Sequence, residues 1–269
     1  MDVPVSVYII AKNEESRIAS AVRSVISWAD EVIVVDSGSE DRTVEIARSQ
    51  GARVLQRDWE GYGPQKRFAE EQCRNDWVLN IDADEEVTSK LADEIAATLA
   101  TAAANQAAFH VQVTDMLPGE ESPRWFSYSY NVLRLYNKSL AKMSLHQYQD
   151  RIDVHKGEVS SLNGRILHRS FISWEATVQK MNFYSSQVAE QRAERGSRHS
   201  TLRLWFEFPA TFLKIWLLRR YIFRGTMGLG VSLSVAYLNV LRLLKTDEAL
   251  RSSAKPQHSA ADISQSAAA

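Results

Sequence analysis

Trp77-Val78-Leu79-Asn80-Ile81-Asp82-Ala83-Asp84-Glu85 is an apolar run that stops abruptly at acids. Trp77 to Ile81 reads as a near-continuous apolar strand suited to the centre of a parallel sheet. Asp82 and Asp84 then fall where such a strand emerges from the core, with their side chains directed to one crevice. Hard carboxylate oxygens in that arrangement suit Mg²⁺ or Mn²⁺, which takes few protein ligands and completes its shell with phosphate and water. An acidic turn capping a helix that starts near Ser89 would account for the same residues, so the neighbouring segments have to decide.

Upstream, β-branched runs alternate with helical patterns: strands at Val5 to Ile10, Glu31 to Val35 and Ala52 to Gln56, and helices at Ser16 to Trp28, Asp41 to Gln50 and Pro64 to Cys73. That alternation predicts an α/β fold with a parallel sheet wrapped by helices. Three strands end in polar residues, Lys12-Asn13-Glu14, Asp36-Ser37-Gly38-Ser39 and Asp82-Ala83-Asp84-Glu85. In open α/β sheets the ligand crevice lies at the carboxyl ends of the strands, so the three ends converge on one site. Asp36 could accept hydrogen bonds from a ribose or a base, or serve only an Asx turn. Lys66 sits near a helix start, where the dipole disfavours a cation unless an anion shares that end. No Gly-x-Gly-x-x-Gly is present, which excludes the dinucleotide fingerprint. Ser89 to Ala103 reads as a helix, and Ala107 to Val113 and Val132 to Tyr136 as strands of a more mixed region.

The chain has 269 residues, 45% hydrophobic, and a formal net charge of -1. The length allows one domain or two. The charge is unevenly spread: nine Lys or Arg and one acid lie between Arg195 and Lys245. An acidic body is thus joined to a basic C-terminal region. Cys73 is the only cysteine, so no intrachain disulfide or cysteine-rich zinc site can form. The start lacks the basic segment of a signal peptide. Met227 to Leu244 approaches the length of a membrane span but holds two serines, Asn239 and Arg242, which argues against spanning. Thr201 to Arg224 interleaves aromatic and basic residues and reads as an interfacial helical segment. Beyond Thr246 the composition is that of a disordered tail. The expected organisation is a catalytic domain over 1–195 with halves 1–103 and 104–195, a helical membrane-interface region over 196–245, and a tail over 246–269.

Together these residues resemble glycosyltransferase family 2, the inverting GT-A-fold group. Tyr8 to Glu15 matches its opening strand and loop, Val34 to Asp41 its nucleotide-contacting turn, and Ile81 to Glu85 its metal motif. Within the family, Gln65-Lys66-Arg67, Asp76 to Leu79, Leu133-Arg134-Leu135-Tyr136 and Ile166-Leu167-His168 resemble the lipopolysaccharide core-biosynthesis β-1,4-glucosyltransferase (WaaE/KdtX) type. The resemblance implies a GT-A (Rossmann-like) mixed sheet flanked by helices, with a C-terminal membrane-associating helical region. It implies a UDP-sugar donor, Mg²⁺ or Mn²⁺, and a heptose acceptor on the lipid-linked oligosaccharide of the lipopolysaccharide core. It places the protein on the inner face of the bacterial inner membrane, peripheral, and the basic, aromatic 201–245 segment adds the expectation of an anionic membrane surface as partner, with no nucleic acid.

Carried onto this chain, the resemblance puts Ala11, Lys12, Glu14, Asp36, Lys66 and Asp82 on the nucleotide sugar and Asp84 with Asp82 on the metal. Asp150 becomes the general base, with Asp153 its nearest rival. The chain departs from the pattern in having Ile10-Ala11-Lys12 where the family has Pro-Ala-Tyr, and Ser37 where many members carry a second Asp. His168 could be a late metal or phosphate ligand or a structural residue. Trp125, Arg134 and Tyr136 are candidate acceptor-side groups. Two other functions fit parts of the pattern: a polyprenyl-phosphate glycosyltransferase sharing the donor site, and a non-catalytic membrane-surface binding module. A sugar nucleotidyltransferase would open with a Gly-rich, Arg-containing loop where Lys12-Asn13-Glu14-Glu15 stands.

Overall fold

The computed structural model describes residues 3–147 and 150–253. The chain divides into two compact units, Met1–Ser170 and Phe171–Ala269. The first contains the strands β1 (Val3–Ala11), β2 (Ala29–Asp36), β3 (Arg53–Gln56), β4 (Trp77–Asp82), β5 (Glu85–Val87), β6 (Gln106–Asp115), β7 (Ser129–Asn137), β8 (Ala141–Met143), β9 (Ile152–Val154) and β10 (Glu158–His168). Its helices are α1 (Ile18–Ile26), α2 (Thr43–Ser49), α3 (Tyr62–Gln72) and α4 (Ser89–Leu99).

Eight strands form one mixed sheet in the order β3-β2-β1-β4-β7-β6-β10-β5, and β8 and β9 form a separate pair. β1, β2, β3 and β4 run parallel. β7 enters antiparallel between β4 and β6. The sheet curls: β5 follows β4 after a two-residue turn, yet pairs with β10 at the far edge.

Side-chain alternation along the strands sorts the core into two layers. Val5, Val7 and Ile9 of β1 join Ile18, Val22 and Val25 of α1 and Leu91 and Ile95 of α4 on one face. Tyr8, Ile33 and Val35 join Ala69 of α3 and Cys73 just after it on the other. In α1 the buried positions Ile18, Ala21, Val22 and Val25 recur at the three-and-four spacing of a helix with one core-facing stripe. α4 starts at Thr88, whose hydroxyl accepts the Leu91 N–H, so a threonine caps this helix and the acids before it are left for other work.

The second unit is helical: α5 (Trp174–Glu194), α6 (Thr201–Leu213), a π-helical turn at Lys214–Leu218, a 3₁₀ turn at Tyr221–Arg224 and α7 (Gly225–Ser253). Two expected boundaries move. α5 belongs to the helical unit and not to a catalytic domain ending at 195, because Lys245 Nζ of α7 donates to Asn182 Oδ1 (2.7 Å) and Ser185 Oγ (2.9 Å) of α5. The expected boundary at Thr246 falls inside α7. That residue is buried with its hydroxyl on the Arg242 carbonyl, and the helix runs on to Ser253. The rest of the expected tail, 254–269, lies outside the described residues.

Candidate active site

Strand register assembles the site. At the end of β1, Ile10 lies beside Asp82 of β4 and Ala11 beside Asp36 of β2. Ala11 is buried and its carbonyl accepts the Ser37 N–H at 2.9 Å. The loop after β1 turns through Asn13, at φ 56°. It leaves Lys12 exposed and Glu14 half-buried, with the Glu14 carboxylate on Arg17 Nε at 2.7 Å. Asp36 is fully buried and its Oδ2 accepts the N–H groups of Gly38 and Ser39, 3.0 Å each. The Asx turn is therefore present, with Gly38 at φ 79° supplying the left-handed residue.

Asp82, itself one-third exposed, is the hub of a charge network whose cations are buried. Lys66, 1% exposed in α3, donates to Asp82 Oδ1 at 2.7 Å and to Asp150 Oδ2 at 2.6 Å. Arg134 of β7, 5% exposed, donates to Asp82 Oδ2 at 2.9 Å and to Glu85 Oε1 at 2.6 Å. Burial acts to raise the Asp82 carboxyl, but Lys66 and Arg134 outweigh it and hold it well below the usual carboxylate range. Burial acts to lower the Lys66 ammonium, and Asp82 and Asp150 raise it instead. At Glu85 burial prevails over Arg134 and pushes the carboxyl up to about 7. The anions beside Lys66 are thus the protein's own, the two carboxylates it bridges.

Asp84, in the turn between β4 and β5, faces a different set. Its Oδ2 is 3.3 Å from Arg17 Nη1 and 3.4 Å from His168 Nε2. His168 Nδ1 lies 3.1 Å from Asp115 Oδ1, because β10 places His168 beside Asp115 of β6 and Glu85 of β5. Burial acts to lower the imidazole, yet Asp115 and Asp84 raise it to about 10. A carboxylate behind an imidazole aims the opposite ring nitrogen, the arrangement by which proteins orient metal-binding histidines. Among the described residues no group of three or more His, Cys, Asp or Glu is placed to hold a metal ion. Asp84 and His168 are the residues that would hold a divalent cation here, an ion that needs few protein ligands. Of the two acids expected on the metal, Asp82 has both oxygens engaged, by Lys66 and Arg134, whereas Asp84 has only Oδ2 paired, with Arg17 and His168.

Residues 6–159 match the model of the family described as glycosyl transferase family 2. The chain belongs to glycosyl transferase family 2. An uncharacterized glycosyltransferase of Rickettsia typhi, RT0209, is 41% identical over 253 residues, spanning 91% of this chain and 87% of the relative. The lipopolysaccharide core biosynthesis glycosyltransferase LpsC of Rhizobium meliloti is 31% identical over 230 residues, 79% of this chain and 80% of its own. Among solved structures, Mycobacterium tuberculosis glucosyl-3-phosphoglycerate synthase with Mn²⁺ and UDP-glucose is 27% identical over 43% of this chain and 44% of that one, at a TM-score of 0.34. Staphylococcus aureus TarS 1-349 is 15% identical over 96% and 93%, at 0.45.

Within this family 2 chain, not every expected residue joins the site. Tyr136 is fully buried, its hydroxyl bonded with Tyr8 (2.8 Å) and Glu70 (2.6 Å), which makes it core and not an acceptor contact. Arg134, expected on the acceptor side, is buried with its guanidinium on Asp82 and Glu85. Trp125 is 75% exposed. Asp153, on β9, pairs with Arg151 at 2.7 Å, whereas Asp150 is the acid tied to Lys66. Arg17, Glu85 and Asp115 join these contacts without a role assigned from sequence alone. Asp115 had a signal, since it too ends a strand in an acid.

Proposed function

We propose that the protein is a metal-dependent inverting glycosyltransferase that moves a hexose, glucose in our reading, from UDP to a heptose of the lipopolysaccharide inner core. The observation that carries this is the joining of Asp82 and Asp150 through Lys66: a donor-side acid and a candidate base bridged by one buried ammonium. The likeness to LpsC over most of both chains supports the acceptor class.

A bound Mg²⁺ or Mn²⁺ on Asp84 and His168 would supply Lewis-acid neutralisation of the departing UDP. The chain's own residues do the rest. Asp36 shapes the turn that receives the nucleoside, and Ala11, Lys12 and Glu14 line the approach from β1. Lys66 and Arg134 fix Asp82 against the sugar. Asp150 takes the proton from the acceptor hydroxyl as that oxygen attacks the anomeric carbon opposite the leaving group; the C–O bond to UDP breaks with its electron pair on the phosphate oxygen. The acceptor is membrane-anchored, so the protein works at the cytoplasmic membrane face.

Incubation with UDP-glucose and a heptose-terminated core glycolipid tests the proposal, with anomeric proton coupling read by NMR. A β-linked hexosyl-heptose product is expected. Transfer to polyprenyl phosphate alone would move the protein to that second class, and an α-linked product would end the inverting mechanism.

A further inference from the structure

The helical unit presents large apolar side chains to solvent: Leu202 67%, Trp205 77%, Phe206 61%, Leu217 46%, Leu218 79% and Phe223 54% exposed. They belong to α6 and to the π-helical and 3₁₀ turns that follow it. Exposed Arg203, Lys214 and Arg220 lie among them, and nine basic residues against one acid fill 195–245. An apolar face rimmed by cations and poor in acids complements a leaflet of anionic lipid.

α7 also invites a different reading, because Tyr221–Ser252 is long and apolar enough to cross a membrane by length and composition. Its surroundings oppose that. The uncharged stretch between Arg224 and Arg242 is 17 residues. At about 1.5 Å per residue it falls short of a hydrocarbon core of about 30 Å. Two contacts tie α7 to α5: within this stretch Gly230 lies against the Trp174 ring so closely that a Cβ there would overlap it, and just beyond it Lys245 Nζ is held by Asn182, Ser185 and Ser186. The part of α5 so aligned exposes Glu175, Gln179 and Lys180. A spanning α7 would carry these polar groups into hydrocarbon, which cannot solvate them. On its other side Asn239 Nδ2 donates to Thr211 Oγ1 of α6 at 3.2 Å, so α6 and α7 form a hairpin layer.

We infer that the helical unit is a single-leaflet anchor, in which α6 and the turns at Lys214–Arg224 embed in an anionic leaflet while α7 stays on the cytoplasmic side of the bilayer midplane. The inference extends the reading of a membrane-anchored acceptor: it says how the enzyme holds itself beside that acceptor.

The test uses the full chain with vesicles of phosphatidylglycerol and phosphatidylcholine, and with phosphatidylcholine alone. The protein floats with the anionic vesicles. Trp205→Glu with Leu218→Glu lowers the bound fraction about tenfold or more, while helical circular dichroism and UDP binding by titration calorimetry stay unchanged. Trp205→Phe, which keeps the apolar face, floats like the parent. In sealed inner-membrane vesicles, epitope tags on the two chain ends are digested from the same side. Tags on opposite sides, flotation indifferent to the paired substitution, or a lipid-free dimer abolished by that substitution would each overturn the anchor. Loss of UDP binding in the unsubstituted chain that still floats would count against the donor site and leave the anchor standing.

Discussion

Replacing Arg134 by methionine isolates what one buried cation contributes beneath the candidate donor site. Arg134 is 5% exposed and bonds both Asp82 and Glu85. Asp82 keeps Lys66 at 2.7 Å after the substitution, and Glu85 keeps only the Asp82 N–H at 2.9 Å, so the loss falls on Glu85. Removing one partner of a buried pair costs about 3–5 kcal/mol when the other stays charged. Glu85 has a way out, because burial already pushes it up to about 7 from an ordinary 4.5, against the pull of Arg134. A carboxyl raised on folding contributes stability that is present below its unfolded value and lost as pH climbs through the folded one. Without Arg134 the folded value rises further, so the variant goes on losing stability at pH where the parent has stopped. The expected deficit is about 1.5–3 kcal/mol at pH 5, the loss of a charged hydrogen bond to Asp82. At pH 9 it grows to about 3–5 kcal/mol, or on the order of 10 °C in Tm. Thermal unfolding in EDTA at the two pH values measures this directly. A deficit equal at both, or absent at pH 9, would refute the claim that Arg134 limits how far burial raises the Glu85 carboxyl.

Asp150→Asn should lower turnover about 10²- to 10⁴-fold with UDP affinity unchanged, because proton transfer is confined to the transition state; near-parent turnover there and a dead Asp153→Asn would move the base to Asp153. Gly63→Ala should cut turnover more than UDP affinity, since a Cβ at that position would overlap the carbonyl oxygens of Ser144 and His146 and push away the segment leading to Asp150; unaltered turnover would show that this segment does not set the base. The Cys73 thiol, pushed up to about 12 by burial, should resist thiol reagents at pH 8 until the protein unfolds, and rapid native-state labelling would contradict the buried placement.

The first four strands and three of their polar ends are legible because a parallel strand buried on both faces leaves a continuous apolar run in the sequence. Asp36, Asp82 and Asp84 stand at those ends, whereas Lys66 is singled out by its place near a helix start. Arg134 and Tyr136 were harder. They share one face of β7, and whether that face meets an acceptor or the core depends on β7 entering antiparallel between β4 and β6, a long-range pairing with no local signature. The role of His168 likewise rests on register across β10, β6 and β5. α5 read as part of the catalytic region because the charge shift begins only at Arg195, while what assigns α5 is its packing on α7 more than forty residues later. Composition also undervalued 246–253, where buried Thr246 and the Asp247–His199 pair at 3.3 Å hold the helix on.

Titration calorimetry of UDP into the protein, with and without Mn²⁺, and again with Asp84→Asn, tests the central claim most directly. The account predicts tight binding with Mn²⁺, binding weakened by chelation, and an Asp84→Asn protein that retains its fold and gains nothing from Mn²⁺. UDP binding of equal strength in EDTA, or the same gain from Mn²⁺ after Asp84→Asn, would contradict a metal-dependent donor site built on Asp84.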